Sequence, residues 1–181
     1  AKLKNEKNLE VILVSSGAVG AGFTSLKLDK KIVANKQALA AIGQPLLLKH
    51  YKKRFKEHNI VCAQMLFIAD DFDSRKRSKN AQNVMEILLE NKILPIINEN
   101  DVIATDELVF GDNDQLAAHV AYYFKADMLA ILSDIDGYYN KNPREFSDAV
   151  LQKFIYEISP DTLEMKHTAN SEFATGGIVT K

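Results

Sequence analysis

The strongest constraint on this chain is a set of four short apolar runs, VILVSS (11–16), IVCAQMLFI (60–68), ILPIIN (93–98) and MLAILSD (128–134), separated by longer amphipathic segments. Runs of this length without strict polar alternation suit strands buried on both faces. The segments between them supply the covering helices, so the expected class is α/β, a mostly parallel sheet with helices on both sides.

The helical segments carry their own boundaries. Residues 31–42 and 45–57 are expected as a helix pair broken by GQP, with Gly43 ending the first and Pro45 opening the second. Residues 74–91 form a helix capped by Ser74, with Val84, Ile87, Leu88 and Leu89 on its apolar face. Residues 113–126 form another, while 147–158 fit a short strand or a helix equally. Tyr122, Tyr123 and Phe124 suit either core or interface.

At 181 residues and 20.3 kDa, 46% hydrophobic and 26% charged, the chain can bury one sizeable core. No repeat, low-complexity tract or linker divides it, so a single domain over 1–181 is expected. A net charge of −1 and a pI near 6.5 provide no general attraction to nucleic acid or an anionic membrane, and any phosphate binding must be local. No apolar stretch approaches the ~20 residues needed to span a bilayer, and no signal sequence opens the chain, which makes the cytoplasm the expected location. Cys62 stands alone, excluding an internal disulfide or a multi-cysteine zinc site, and reads as a small buried side chain. The opening AKLKNEKNLEVILVSSG has no initiator methionine and reads as the tail of a basic helix entering a buried strand, as in a chain that begins mid-domain.

In an open parallel sheet, ligands sit beyond the carboxyl ends of the strands. The chemistry-bearing stretches fall there: SSGAVGAG after the first run, NEND after the third, SDIDGYY after the fourth, and GDND opening a helix. In the first, Ser15, Ser16, Gly17, Gly20 and Gly22 would let backbone donors and hydroxyls approach an anion, although a tight turn explains the same glycines. It has neither the dinucleotide fingerprint nor the usual phosphate-loop lysine, which counts against a redox enzyme. ATGGIVTK at the carboxyl terminus offers a second cradle, with Thr175, Gly176, Gly177 and Thr180 supplying amides and hydroxyls and Lys181 a cation; a Gly-Gly turn is the plain alternative. The acids and amides of 98–114 suit a zwitterionic amino acid, carboxylates meeting its ammonium and asparagines its carboxylate, or else a solvated loop that caps a helix.

Taken together, VSSGAVGAG, AAIGQP, AQMLF with DDFDSR, PIINENDVIA, FGDNDQLAAHVA, LSDIDGYY followed by NPR, and TGGIVTK occur in an order and spacing that resembles the amino acid kinase family over essentially the whole chain. NEND and GDND about ten residues apart resemble its glutamate-phosphorylating branch. The resemblance implies an open αβα sandwich, and transfer of the ATP γ-phosphoryl, with Mg2+, to the side-chain carboxylate of L-glutamate, the first step of proline synthesis. It implies Ser16, Asp101 and Asn113 as substrate ligands and Asp114 as the acid that orders phosphate-binding lysines. Ser133 and Asp134 would contact the adenine nucleotide, the family often having Thr at the former position. Thr175, Gly176, Gly177, Ile178, Val179, Thr180 and Lys181 would form the nucleotide loop, with Lys181 catalytic. It also implies a homodimer or tetramer and feedback inhibition by proline.

His50, His58, His119 and His167 fall in no matching motif and are expected as solvent or packing residues. Against the family pattern, the chain starts beyond a strand of the type VVKVGS that carries a phosphate lysine, has Ala174 where the nucleotide loop has glycine, and stops at Lys181 without the RNA-binding appendage of some members. The 181 residues alone are therefore expected to be an incomplete domain with impaired catalysis. Two other functions stay open: a kinase of the same family acting on aspartate or acetylglutamate, and a non-catalytic amino-acid-binding module.

Overall fold

The computed structural model describes residues 1–104, 113–134, 136–141 and 143–156. After a single helical turn, α1 (Lys2–Asn5), come β1 (Leu13–Val14), α2 (Ala18–Ser25), α3 (Val33–Lys56), β2 (Cys62–Phe67), α4 (Ala69–Asp73), α5 (Arg75–Glu90), β3 (Leu94–Glu99) and α6 (Asn113–Tyr123). The three strands form one parallel sheet in the order β1-β3-β2, with Leu13 opposite Ile96 and Cys62 opposite Leu94. The expected α/β class with a parallel sheet is therefore present.

Topology puts the helices on both faces. From β1 the chain crosses to β2 and leaves a slot between them, which β3 fills on the way back. Parallel crossovers are right-handed, so reversing direction reverses the face that the connecting helix covers. Two cores result. Ile60, Cys62, Leu94 and Ile96 pack with Leu48, Tyr51 and Phe55 of α3. Phe67, Phe72, Met85, Ile97, Leu116 and Val120 pack together on the side of α4, α5 and α6. Cys62 belongs to the first core, and burial pushes its thiol pKa up against the lowering charges of Lys52 and Lys4.

Five sequence expectations need correction. GQP does not split a helix: α3 runs unbroken through Pro45. Pro45 and Ala41, whose carbonyl loses its donor, are both exposed to water, while Gly43 is buried at the crossing with α2. A Cβ on Gly43 would lie 1.7 Å from the Ala18 carbonyl oxygen, and one on Gly22 would lie 1.9 Å from that of Leu39. Gly43 is thus a backbone contact and not a helix stop. For the same reason Gly22 packs against α3 instead of lining a ligand loop, and of the glycines in that stretch only Gly17, at φ +98 before α2, has the left-handed backbone glycine favours.

The helix expected at 74–91 is present as α5, and the Ser74 hydroxyl accepts from the Arg77 N–H. Of the expected face Leu89 packs on the core and Leu88 is half-buried, but Val84 and Ile87 are exposed, and Met85 is the buried residue, with Ala81 half-buried beside it. Spacing of four along a narrow sheet selected Met85, which sits one residue from the apolar group read from the sequence. The run 128–134 is not a strand and pairs with neither edge of the sheet, and Met128 and Leu132 are exposed. Residues 147–156 are neither helix nor strand; Leu151 makes one antiparallel bridge to Tyr139. No helix among the described residues is long and apolar enough to cross a membrane.

Candidate acceptor site at the carboxyl ends of β1 and β3

The connection after β1 leaves toward the α3 face and the helix after β3 covers the opposite face, so the carboxyl ends of these adjacent strands are a switch point of the sheet, the position of the crevice in open α/β folds. That is where open α/β sheets place ligands. Three chain segments meet there. The Asn113 Nδ2, at the start of α6, donates to the Ser15 carbonyl at 2.5 Å and to the Asn98 Oδ1 at 2.7 Å. Ser16 follows Ser15 and is exposed. Asp101 lies in the turn after β3, which is closed by the Ile103 and Ala104 N–H groups on the Asn100 carbonyl, both at 3.0 Å. The structure therefore brings the segments carrying Ser16, Asp101 and Asn113 to one end of the sheet. Asp114, in the first turn of α6, stands at the positive end of that helix.

Asn98 is one of the amides of 98–114 that the sequence reading includes without singling it out as a ligand. The Ser15 carbonyl can only accept, so the Asn113 atom facing it is the amide nitrogen; the Asn98 atom facing that nitrogen is then an oxygen. The Asn98 Nδ2 is left over, in a residue only 3% exposed, with no hydrogen-bond partner among the described residues. A buried donor left unpaired costs about 1–3 kcal/mol, a cost that a ligand acceptor would remove. The signal in the sequence was an asparagine closing an otherwise apolar strand.

The carboxyls beside it are perturbed. Burial raises the Glu99 pKa to about 7, with the neighbouring charge of Asp101 adding to the effect. Burial also raises Asp101, opposed by a hydrogen bond from its own backbone and by the Lys36 charge. This end of the sheet therefore carries an amide donor that suits a carboxylate and carboxyl oxygens that suit an ammonium group.

The other residues singled out from the sequence divide into those that the structure describes elsewhere and those outside the described residues. Ser133 and Asp134 are exposed; the serine hydroxyl lies 3.5 Å from Asp134, which pairs with Arg144 at 2.5 Å. Thr175, Gly176, Gly177, Ile178, Val179, Thr180 and Lys181 lie outside the described residues, as do Ala174 and His167. His119 packs its ring 5.5 Å from that of Phe72 with Nδ1 2.9 Å from the Gln115 carbonyl, and His50 meets Tyr51 edge-on. Tyr123 and Phe124 pack against the second core, while Tyr122 is exposed.

Known proteins carry the same pattern. A sequence model of the amino acid kinase family matches residues 1–181. A glutamate 5-kinase of Leishmania donovani is 58% identical over 172 residues, 95% of this chain and 65% of that protein. One from Wolinella succinogenes is 58% identical over 185 residues, 100% of this chain and 70% of that protein. Glutamate 5-kinase 2 of Bacillus licheniformis is 46% identical over 99% of this chain and 48% of its own length. The chain thus spans about two thirds of the first two relatives and about half of the third. With a parallel sheet clothed on both faces and a family match from end to end, the chain belongs to the amino acid kinase family.

Proposed function

We propose that this chain carries the acceptor half of an enzyme that transfers the γ-phosphoryl group of ATP to the side-chain carboxylate of L-glutamate, yielding L-glutamyl 5-phosphate for proline synthesis. The observation that carries the reading is the Ser15–Asn113–Asn98 clasp, with its buried unpaired amide donor beside two carboxyls of raised pKa. A zwitterionic amino acid matches both halves of that set: the Asn98 Nδ2 and the Ser16 hydroxyl face its carboxylate, and Asp101 faces its ammonium group together with the Oδ1 of Asn113, whose two amide hydrogens are taken by Ser15 and Asn98.

The chemistry asks little of a base. The attacking group is the substrate's own carboxylate, of pKa about 4.3 in solution and ionised at neutral pH. Placement in line with the phosphoryl group and neutralisation of its spreading negative charge are what the protein must supply. Lys181 would provide the cation and Asp114 would hold the lysine. Ser133, Asp134 and residues 175–180 would take the nucleotide. Mg2+ would arrive with the ATP phosphates as part of that substrate.

Assembly as a dimer or tetramer, and inhibition by proline, belong to the same proposal. A coupled ADP-release assay on the protein at its full encoded length, with L-glutamate, L-aspartate and N-acetyl-L-glutamate, tests it. Turnover with L-glutamate at the highest kcat/KM is expected; preference for either other acid, or glutamate binding without any ATP turnover, would overturn the assignment.

A further inference from the structure

We infer that α3 is the gauge of the acceptor face, and that Gln37, Gln44 and Tyr51 are positioning residues whose polar heads set the spacing between the ends of β1 and β3. The three are successive heptad positions. Seven residues are close to two helical turns, so they fall on one stripe and are spaced about 10 Å apart along the axis. Each reaches a different point of the crevice. Gln37 Nε2 donates to the Ala104 carbonyl, three residues beyond Asp101, at 3.3 Å. Gln44 Nε2 donates to the carbonyl of Glu99, two residues before Asp101, at 3.3 Å. The Tyr51 hydroxyl lies 2.9 Å from that of Ser15, the neighbour of Ser16.

These contacts form a connected frame. Ser15 uses its hydroxyl for Tyr51 and its carbonyl for Asn113, so an unbroken line of hydrogen bonds runs Tyr51–Ser15–Asn113–Asn98 from α3 to α6 and β3. Gln44 is buried and is braced from the sheet by Gln64, whose Nε2 donates to the Gln44 Oε1 at 3.3 Å. It directly follows Gly43, where α3 is seated on the α2 backbone, so its reach is fixed by the tightest contact of the helix. Lys36, adjacent to Gln37, adds a positive charge that acts on Asp101. A rigid 24-residue helix touching the two strand ends and the following turn in this way holds Ser16 and Asp101 at a fixed separation.

The inference rests on the reading of this crevice as the amino-acid pocket, and its test separates the two. Tyr51→Phe keeps the ring that stacks on Phe55 and removes only the hydroxyl; Gln44→Met keeps length and removes the donor. In the protein at its full encoded length, each variant is expected to raise the KM for L-glutamate roughly three- to tenfold, the equivalent of one ordinary hydrogen bond, with the KM for ATP unchanged. A merely structural role would change both KM values together, and either that result or an unchanged glutamate KM overturns the inference. Amide hydrogen exchange without substrate provides the independent arm: the Ser16, Ile103 and Ala104 amides should exchange faster in the variants. If the parent turns over no glutamate, the proposed function fails and the exchange result alone judges α3, unchanged rates overturning it.

Discussion

Gly43→Ala tests the packing that seats the α3 gauge. In a helix interior, alanine is favoured over glycine by about 1 kcal/mol, so propensity alone predicts stabilisation. The geometry predicts the reverse. A Cβ at Gly43 would stand 1.7 Å from the Ala18 carbonyl oxygen, 2.6 Å from the Gly22 nitrogen and 2.7 Å from the Ala18 carbonyl carbon, all backbone atoms that cannot rotate away. Close carbon–oxygen contacts sit near 3.3 Å, so α2 and α3 must part locally by roughly 1.5 Å. A gap of even 0.5–1 Å forfeits about a quarter to a half of the dispersion energy of each facing pair, here including Leu39 and Ala40, both fully buried. Overpacking of this kind costs about 1–3 kcal/mol and sometimes more; with the propensity gain set against the upper end, a net loss near ~2 kcal/mol follows. Urea unfolding should show a lower midpoint at unchanged slope, and Tm should fall by about 4–8 °C. Gly20→Ala is the control, because a Cβ there meets nothing within 4 Å, and it should be neutral or stabilising. A Gly43→Ala protein as stable as the parent, or a Gly20→Ala protein equally damaged, would refute the reasoning.

Three further outcomes are expected. The Glu99 pKa is raised in the folded protein from 4.5 to about 7, so the folded state holds the proton more tightly; its contribution is full below the unfolded value and is lost as pH rises toward 7. Glu99→Gln should flatten that decline in urea midpoints between pH 5 and 8 and be more stable than the parent at the alkaline end; a parent-like slope counts against it. Asn98→Asp keeps an oxygen for the Asn113 amide but replaces the unpaired donor with an acceptor, so the L-glutamate KM should rise about tenfold or more at an unchanged ATP KM, as for a lost charge-assisted hydrogen bond. Ser74→Ala should cost about 0.5–1 kcal/mol by urea unfolding, the low end of the N-cap range because the Ser74–Arg77 contact is long at 3.4 Å; no change would mean the cap contributes nothing.

The parts of this fold that were legible in the sequence are those where burial dominates. β2 and β3 lie within two residues of the runs read for them, because strands covered on both faces have little choice but continuous apolarity. Gly43 was misread because a glycine at a helix crossing and a glycine at a helix stop are identical in sequence; only the backbone of α2 distinguishes them. MLAILSD was misread because apolarity signals a wish for cover without naming a ladder partner. The clustering of acids and amides after β3 pointed to the end of the sheet where Ser15, Asn98 and Asn113 meet. The role of Asn98 was hidden because an unpaired donor is a property of its neighbours, and the Gln37, Gln44 and Tyr51 stripe because its heptad spacing means nothing until the facing carbonyls and hydroxyl are known.

The central claim is that the carboxyl ends of β1 and β3 hold the amino-acid acceptor, and titration of L-glutamate into the 15N-labelled protein tests it most directly. Saturable shifts are predicted at the Ser16, Asp101 and Asn113 backbone amides and at the Asn98 side-chain amide, with L-aspartate weaker at the same positions. Saturable shifts confined to residues outside this crevice, or none at the Asn98 side chain when glutamate is bound, would contradict the account.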